Sequence, residues 1–333
     1  MSKTTAAFVK ETKRDEYFKQ RDAEIRALLD PATGNVRAEY ADPVAACLLC
    51  GSKGRDTLFR KHGFSFHRCT ECGFVYADPQ VRDEALMQEY EGSSANDLWI
   101  DVLLSDANHA YDHDKFAAGV RLLESVTGGP GKVLDIGCSI GHFLKIARDM
   151  GWDSLGMEVN KRAVEHARNV WGLSIETKFL HESDIPPASM DAVTLWGVVE
   201  HLKDPVGILR DVFRVLRPGG ALLLFCPNIE SLACRVLHED APCVDGRNHC
   251  GYFAPRTMRY LLEKCGFEVL SIESRQPNLA PVLNHLDFLD PYTPQQESSL
   301  REILGPGMFD VLERAIQDRN LGYKIQTLAR KPA

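Results

Sequence analysis

Four cysteines stand out by their spacing, Cys47-x2-Cys50-x18-Cys69-x2-Cys72. Two close thiolate pairs joined by a short segment can close a tetrahedron around one ion, and this spacing is that of a four-thiolate zinc ribbon. Gly51 and Gly73 follow the second cysteine of each pair, where a small residue lets the backbone curl so that N–H groups point at sulfur. Four thiolates leave no open position, so the expected Zn2+ is structural. A rubredoxin-type iron centre is the alternative metal, and nothing in the chain suggests electron transfer. His62 and His67 are read as solvated hairpin residues, not substitute ligands. The other six cysteines (Cys138, Cys226, Cys234, Cys243, Cys250 and Cys265) read as free thiols in apolar or loop contexts.

A second constellation lies in "KVLDIGCSIGHFL", residues 132–144. An apolar run stops at Asp135, Gly137 and Gly141 follow, and a helix begins. Glycine permits unusual dihedrals and close backbone approach, and a helix start offers free N–H groups. A dinucleotide site would read G-x-G-x-x-G, but Ser139 and His142 hold the second and third places. A carboxylate at Asp135 would repel a pyrophosphate and attract an ammonium or sulfonium. Glu158, ending the next apolar run, can accept both hydroxyls of a ribose. The site therefore suits a nucleoside that carries a positive amino acid, which is S-adenosylmethionine (SAM). Two histidines complete the chemistry-bearing set. His201 ends a later apolar run in "VVEHLKDP", and His249 lies in the polar stretch "DGRNHCGYF".

The elements that must position these groups follow from the pattern. Residues 1–43 read as a helical extension with apolar Phe8, Phe18, Ile25, Leu28 and Leu29. Residues 44–80 form the ribbon, with β-like runs at 56–59 and 64–67. Residues 81–126 read as connecting helices, and residues 127–333 as one large domain. From Lys132, near-continuous apolar runs alternate with amphipathic helices, which predicts an α/β, doubly wound parallel sheet covered on both faces. Residues 229–256 are expected to form a lid loop, and 278–320 a mostly helical insertion. The 333 residues are 44% hydrophobic and 26% charged, with net charge −8. That balance fits a globular protein and disfavours a phosphate-tracking nucleic-acid binder. The charged N-terminus lacks the apolar core of a signal peptide, and no apolar run reaches membrane-spanning length, so the cytosol is the expected compartment.

"VLDIGCSIGHFL" resembles the first motif of class I SAM-dependent methyltransferases, and the resemblance continues in order through Glu158, "HESDIPP", "DAVTLWGVVEHLKDP", "LRPGG" and "CPN". It implies a Rossmann-like seven-stranded methyltransferase sheet. It implies that Asp135 and Gly137 lie near the methionine end, that Cys138 and Gly141 also bind the cofactor, and that Glu158 holds the ribose. Asp184 would then hydrogen-bond the adenine amino group, and Trp196 would lie close to the cofactor. The blander readings are a helix-capping acid for Asp135 and a core aromatic for Trp196. Ser139 stands where many members have glycine, and it fits if that position needs no positive φ.

The ribbon with "CGFVYADPQ" resembles the N-terminal zinc-binding module of a group of bacterial methyltransferases that includes C-methyltransferases of deoxysugar nucleotides. In those enzymes the matching loop reads roughly Tyr-x-Glu-His-x-x-Tyr-Phe. Here His249, Tyr252 and Phe253 match, whereas Asn248 replaces the glutamate and Gly246 the tyrosine. Methyl transfer needs an aligned acceptor, a dry site and removal of a proton from a hydroxyl or enolisable carbon. His249 and His201 are the candidate bases, with a structural histidine as the alternative for His201. Tyr90 and Tyr111 are candidates to reach the methyl end, or else to pack. A second metal at His238, Cys243, His249 and Cys250 matches no standard spacing. DNA-type N-methylation is disfavoured, because Leu195-Trp196-Gly197-Val198 stands where an Asn/Asp-Pro-Pro-aromatic tetrapeptide would be. The expected function is methyl transfer from SAM to oxygen or carbon of a small hydroxylated, sugar-like metabolite. The alternatives are a zinc-ribbon RNA methyltransferase and a non-catalytic SAM-binding regulator.

Overall fold

The computed structural model describes residues 14–289 and 299–333; Phe8 and residues 290–298 of the expected insertion lie outside the described residues. The chain opens with α1 (Arg14–Ala27), whose Ile25 is buried. Two short strands, β1 (Ala41–Asp42) and β5 (Gln80–Val81), pair with each other. Between them β2 (Arg55–Lys61), β3 (Phe64–Cys69) and β4 (Val75–Asp78) form an antiparallel meander. Three helices follow: α2 (Asp83–Gly92), α3 (Ser94–Leu104) and α4 (Asp106–Thr127). Ser93 and Ser105 cap the second and third by accepting N–H groups one turn in.

The large sheet contains β6 (Lys132–Ile136), β7 (Asp153–Met157), β8 (Ser174–Glu176), β9 (Met190–Trp196), β10 (Leu216–Pro227), β12 (Glu268–Arg275) and β13 (Lys324–Arg330). Its order is β12-β13-β10-β9-β6-β7-β8. Pairs from β10 to β8 are parallel, but β13 runs antiparallel to both β10 and β12. The seven-stranded sheet is therefore mixed, not wholly parallel as expected. Apolar runs report burial on both faces and carry no information on strand direction.

Period-two alternation sorts the side chains. Leu134, Val193, Leu195, Leu222, Leu224 and Ile325 face one cluster, whereas Val133, Ala192, Ala221, Leu223 and Leu328 face the other. The second face is covered by α4, α5 (His142–Asp149) and α6 (Lys161–Asn169). The first is covered by α7 (Pro205–Val215), α9 (Pro255–Lys264) and the cysteine-rich unit. Helices α10 (Leu279–Leu289) and α11 (Leu300–Asp318) occupy much of the expected insertion. No helix among the described residues is long and apolar enough to cross a membrane.

The segment after β10 is packed down, not a free loop. It contains α8 (Leu232–Leu237) and β11 (Gly251–Tyr252), and β11 adds a fourth strand to the small sheet beside β4. Lys61 donates to the Val244 carbonyl at 3.1 Å, and Arg247 pairs with Glu24 of α1 at 2.9 Å. A Cβ on Gly246 would come within 2.4 Å of Phe64, so the tyrosine of the resembling loop has no room here.

Candidate functional site

The ends of β6 and β7 build the first part of the site. Gly137 and Cys138 both donate N–H to the Met157 carbonyl, at 2.8 and 3.0 Å. Gly137, Ser139 and Gly141 have φ of 68°, 49° and 80°. Ser139 thus takes the left-handed conformation that its type was expected to avoid. Its N–H donates to Glu158 Oε2 at 2.8 Å, so the turn is tied to the second carboxylate. A Cβ at Gly137 would meet Val198 at 2.6 Å, and at Gly141 would meet Leu173 at 2.5 Å. Both glycines are therefore required by the chain's own packing as well as by φ.

Glu158 Oε1 accepts the N–H groups of Val159 and Asn160, each at 2.8 Å. Three backbone donors occupy three of its roughly four lone-pair positions, so one is open to a ligand hydroxyl without rearrangement. Burial nevertheless raises its pKa, against the lowering effect of those N–H groups. Asp135 is 2% exposed and accepts a hydrogen bond from Thr194 Oγ1 at 2.6 Å. Burial pushes its carboxyl up to about 8, opposed by Thr194 and assisted by the charge of Glu158. It does not cap a helix. Thr194, which the sequence reading passed over, is its partner across the sheet register.

Two other expected residues are placed differently. The Cys138 thiol is turned into the core, where a Cβ on Gly156 would touch it at 2.6 Å. The thiol also donates weakly to the Ser139 carbonyl, at 3.8 Å. Asp184 is fully exposed and lies 3.7 Å from Lys178; among the described residues no hydrogen bond joins it to Asp135 or Glu158.

Trp196 shares a sheet face with Asp135 and Thr194. Its ring packs on Phe116 (5.0 Å between centroids), Phe143 (5.5 Å) and Phe225 (5.6 Å). Its indole Nε1 is buried with no hydrogen-bond partner among the described residues. Lys115 Nζ, bonded to Asp112 at 2.6 Å, sits 5.5 Å from the Phe225 ring. A cavity of about 400 Å³ opens beside it, lined by Tyr111, Lys115, Phe225, Gln276 and Gln326. Tyr111 accepts from Gln276 at 2.6 Å, whereas Tyr90 packs with the N-terminal cluster.

His201, in the 3-10 turn after β9, meets His249 edge to face, with ring centroids 4.8 Å apart. His249 Nδ1 lies 2.7 Å from the Cys243 carbonyl. An acceptor there requires Nδ1–H, so Nε2 is the nitrogen that would accept or ligate. Burial, then the neighbouring His249, lowers the His201 pKa to about 4, so its imidazole is neutral at pH 7. Glu200 joins them, and one atom from each of the three residues lies within 4.8 Å of the others. Glu200 was not singled out from sequence, although it directly precedes His201.

The four cysteines also converge. Cys47 and Cys72 sulfurs are 3.5 Å apart, as are those of Cys50 and Cys69, and all four lie within 4.8 Å. Zinc–sulfur bonds of 2.3 Å place tetrahedral sulfurs about 3.8 Å apart, so the donor set fits that ion. Gly51 and Gly73 have φ of 77° and 73°, as the curled turns require. His67 is not solvated. It is buried, bonded to Thr57 at 3.1 Å and close to Asp78 at 3.4 Å. His62 occupies the β2–β3 turn with φ 49°.

Residues 108–272 match the family model described as a methyltransferase domain. O-methyltransferase resE of Aspergillus sclerotiorum is 27% identical over 214 residues, covering 60% of this chain and 75% of that protein. A probable S-adenosylmethionine-dependent methyltransferase of Mycolicibacterium smegmatis is 32% identical over 138 residues, covering 41% of this chain and 52% of that protein. A tRNA U34 carboxymethyltransferase of Desulfotalea psychrophila is 28% identical over 196 residues, covering 53% of this chain and 60% of that protein. The chain thus spans three quarters of the first relative and a little over half of the other two. Together with the carboxylates at the tips of the parallel strands, these matches make the chain an enzyme that carries a SAM-dependent methyltransferase domain.

Proposed function

We propose that the chain transfers a methyl group from SAM to an oxygen or carbon of a small hydroxylated, sugar-like metabolite, with a structural Zn2+ held by Cys47, Cys50, Cys69 and Cys72. The observation that carries the cofactor assignment is Glu158, a carboxylate fixed at the tip of β7 by three N–H groups with one acceptor position left for a ribose hydroxyl. Asp135 faces the ligand's ammonium end, and the turn 137–141 contributes backbone alone. Asp184 reaches the adenine amino group from its exposed position, and Trp196 walls the methyl end. The cavity beside Lys115 supports a small acceptor with both polar and apolar faces, because two amides, a phenol, Asp114, Lys115 and Arg275 line it around a mainly apolar surface that includes Phe225.

His249 and His201 are the catalytic pair of this reading, with His249 oriented by its bond to Cys243. The O-methyltransferase relative supports oxygen as the acceptor atom. The test is an acceptor screen that follows S-adenosylhomocysteine release, run alongside calorimetry of Glu158→Ala. Release on hydroxylated metabolites, with cofactor affinity weakened at least tenfold by the substitution, is the expected result. Unchanged affinity would remove the ribose assignment. Tight RNA binding that weakens steeply with salt would redirect the acceptor to RNA. Cofactor binding without turnover on any acceptor would mark a regulator.

A further inference from the structure

We infer that Glu200, His201 and His249 form a second metal site, one that takes a divalent cation through two imidazoles and a carboxylate. Three observations carry it. First, one ligand atom from each residue already lies within 4.8 Å of the others. Second, Glu200 is 3% exposed, and its Oε2 is buried with no hydrogen-bond partner among the described residues, as is Nδ1 of His201. A buried carboxylate oxygen and a buried ring nitrogen left unpaired in neighbouring residues each cost free energy unless something fills the gap. Third, His249 is held as a ligand would be, with Nδ1–H on the Cys243 carbonyl and Nε2 as the nitrogen that would ligate.

Bound donors at about 2.0–2.2 Å from an ion sit roughly 3–3.4 Å apart. From an upper bound of 4.8 Å the cluster therefore closes by at most about 1.4–1.8 Å on loading. Two histidines and one carboxylate suit Zn2+, Mn2+, Fe2+ or Co2+ and leave coordination positions open, unlike the four cysteines. The inference rests on the reading above that His201 and His249 serve the acceptor, and refines it. The imidazoles act through a bound cation, which polarises an acceptor oxygen or a water that occupies an open position.

The experiment uses the full chain loaded with one zinc per molecule, so that the thiolate site is filled. Mn2+ is titrated and followed by loss of the free-ion electron paramagnetic resonance signal, because this ion prefers oxygen and nitrogen donors to thiolate. One equivalent should bind, and Glu200→Gln and His249→Gln should each weaken it at least tenfold while zinc content stays at one. His249→Gln sits in the segment after β10, so it keeps the test alive if Glu200→Gln does not fold. No Mn2+ binding by the unaltered chain would overturn the site, and so would equal binding by unaltered chain and both variants. S-adenosylhomocysteine calorimetry on the same samples separates the two readings. Cofactor heat without Mn2+ binding sinks only the cation site, and Mn2+ binding without cofactor heat sinks only the methyl-transfer assignment.

Discussion

Among the described residues, side chains suited to metals gather in two places, and the two are built differently. The four cysteines supply equal donors from two tight turns, on a unit whose Leu49 and Phe74 are buried with Phe253 and Met258 of the large domain. The Glu200 cluster supplies three unequal donors, from a strand end and a segment remote in sequence. A closed donor set can only hold the chain, whereas an incomplete one leaves room for a ligand. The two are also mechanically joined. β4, which follows the last cysteine, pairs with β11 through Tyr76–Gly251 and Val75–Tyr252, and Ala77 donates to the Cys250 carbonyl at 3.2 Å. Arg256 adds bonds to the carbonyls of Cys72 and Gly73. His249 directly precedes the part of the chain that the cysteine unit grips.

The largest effect expected from that comparison comes from opening the closed set. Cys69→Ser, or stripping the ion with a strong chelator, should remove the one zinc per chain and loosen residues 44–80, because structural zinc contributes folding free energy outright. A loss of about 4 kcal/mol would lower the melting temperature by roughly 10 °C in a domain of this size. Hydrogen exchange should rise in β4 and β11 together, and turnover should fall further than S-adenosylhomocysteine affinity. Faster exchange confined to β4, with β11 still protected, would break the mechanical link between the two regions.

Altering the incomplete set should act on chemistry and spare the fold. His249→Ala removes a group that activates the acceptor, as a base or through the cation it would hold, and a proton-transfer role alone is worth on the order of 10²–10⁴-fold in rate. Cofactor affinity and melting temperature should barely move, because Asp135 and Glu158 stand on other strands. Equal losses in turnover and affinity would make His249 a structural residue. Glu158→Ala should do the opposite and chiefly weaken the cofactor. A hydrogen bond to a charged group is worth about 1.5–3 kcal/mol, or roughly 10–150-fold in affinity.

The order of elements was legible because most buried strands are nearly all apolar and the helices His142–Asp149, Lys161–Asn169, Pro205–Val215 and Pro255–Lys264 are amphipathic, so burial is written along much of the chain. The four cysteines were legible because their ligand pairs are local. What failed depends on contacts distant in sequence. The direction of β13 is set by the strands on either side of it, β10 and β12, and not by its own residues. His67 lies in a polar stretch, and Thr57 and Asp78 reach it only once β2, β3 and β4 pair. The left-handed Ser139 is held by Glu158 from the neighbouring strand. Glu200 carried one signal, a carboxylate beside a histidine at a strand end, but its value shows only when the segment after β10 returns His249 to it.

The subtlest effect belongs to Asp135, and it separates the two carboxylates of the cofactor end from each other. An unfolded aspartate ionises near 3.9, whereas burial raises Asp135 to about 8, with Thr194 pulling it down and Glu158 pushing it up. Between about pH 4 and 8 the folded chain therefore holds a proton that the unfolded chain has lost. The contribution of this group to stability is present at low pH and falls as pH rises through that window. A ligand ammonium beside Asp135 favours the ionised form and lowers that pKa, so binding must expel the proton near neutrality. S-adenosylhomocysteine affinity should rise from pH 5.5 to 7.5, by less than about tenfold per pH unit, the limit for one proton. Calorimetry in two buffers of different ionisation enthalpy should show that proton leaving. Asp135→Asn keeps an acceptor for Thr194 and cannot ionise, so its affinity should be nearly flat across the same range. A pH slope that survives in the Asn variant would transfer the proton to another group and take the ammonium assignment with it.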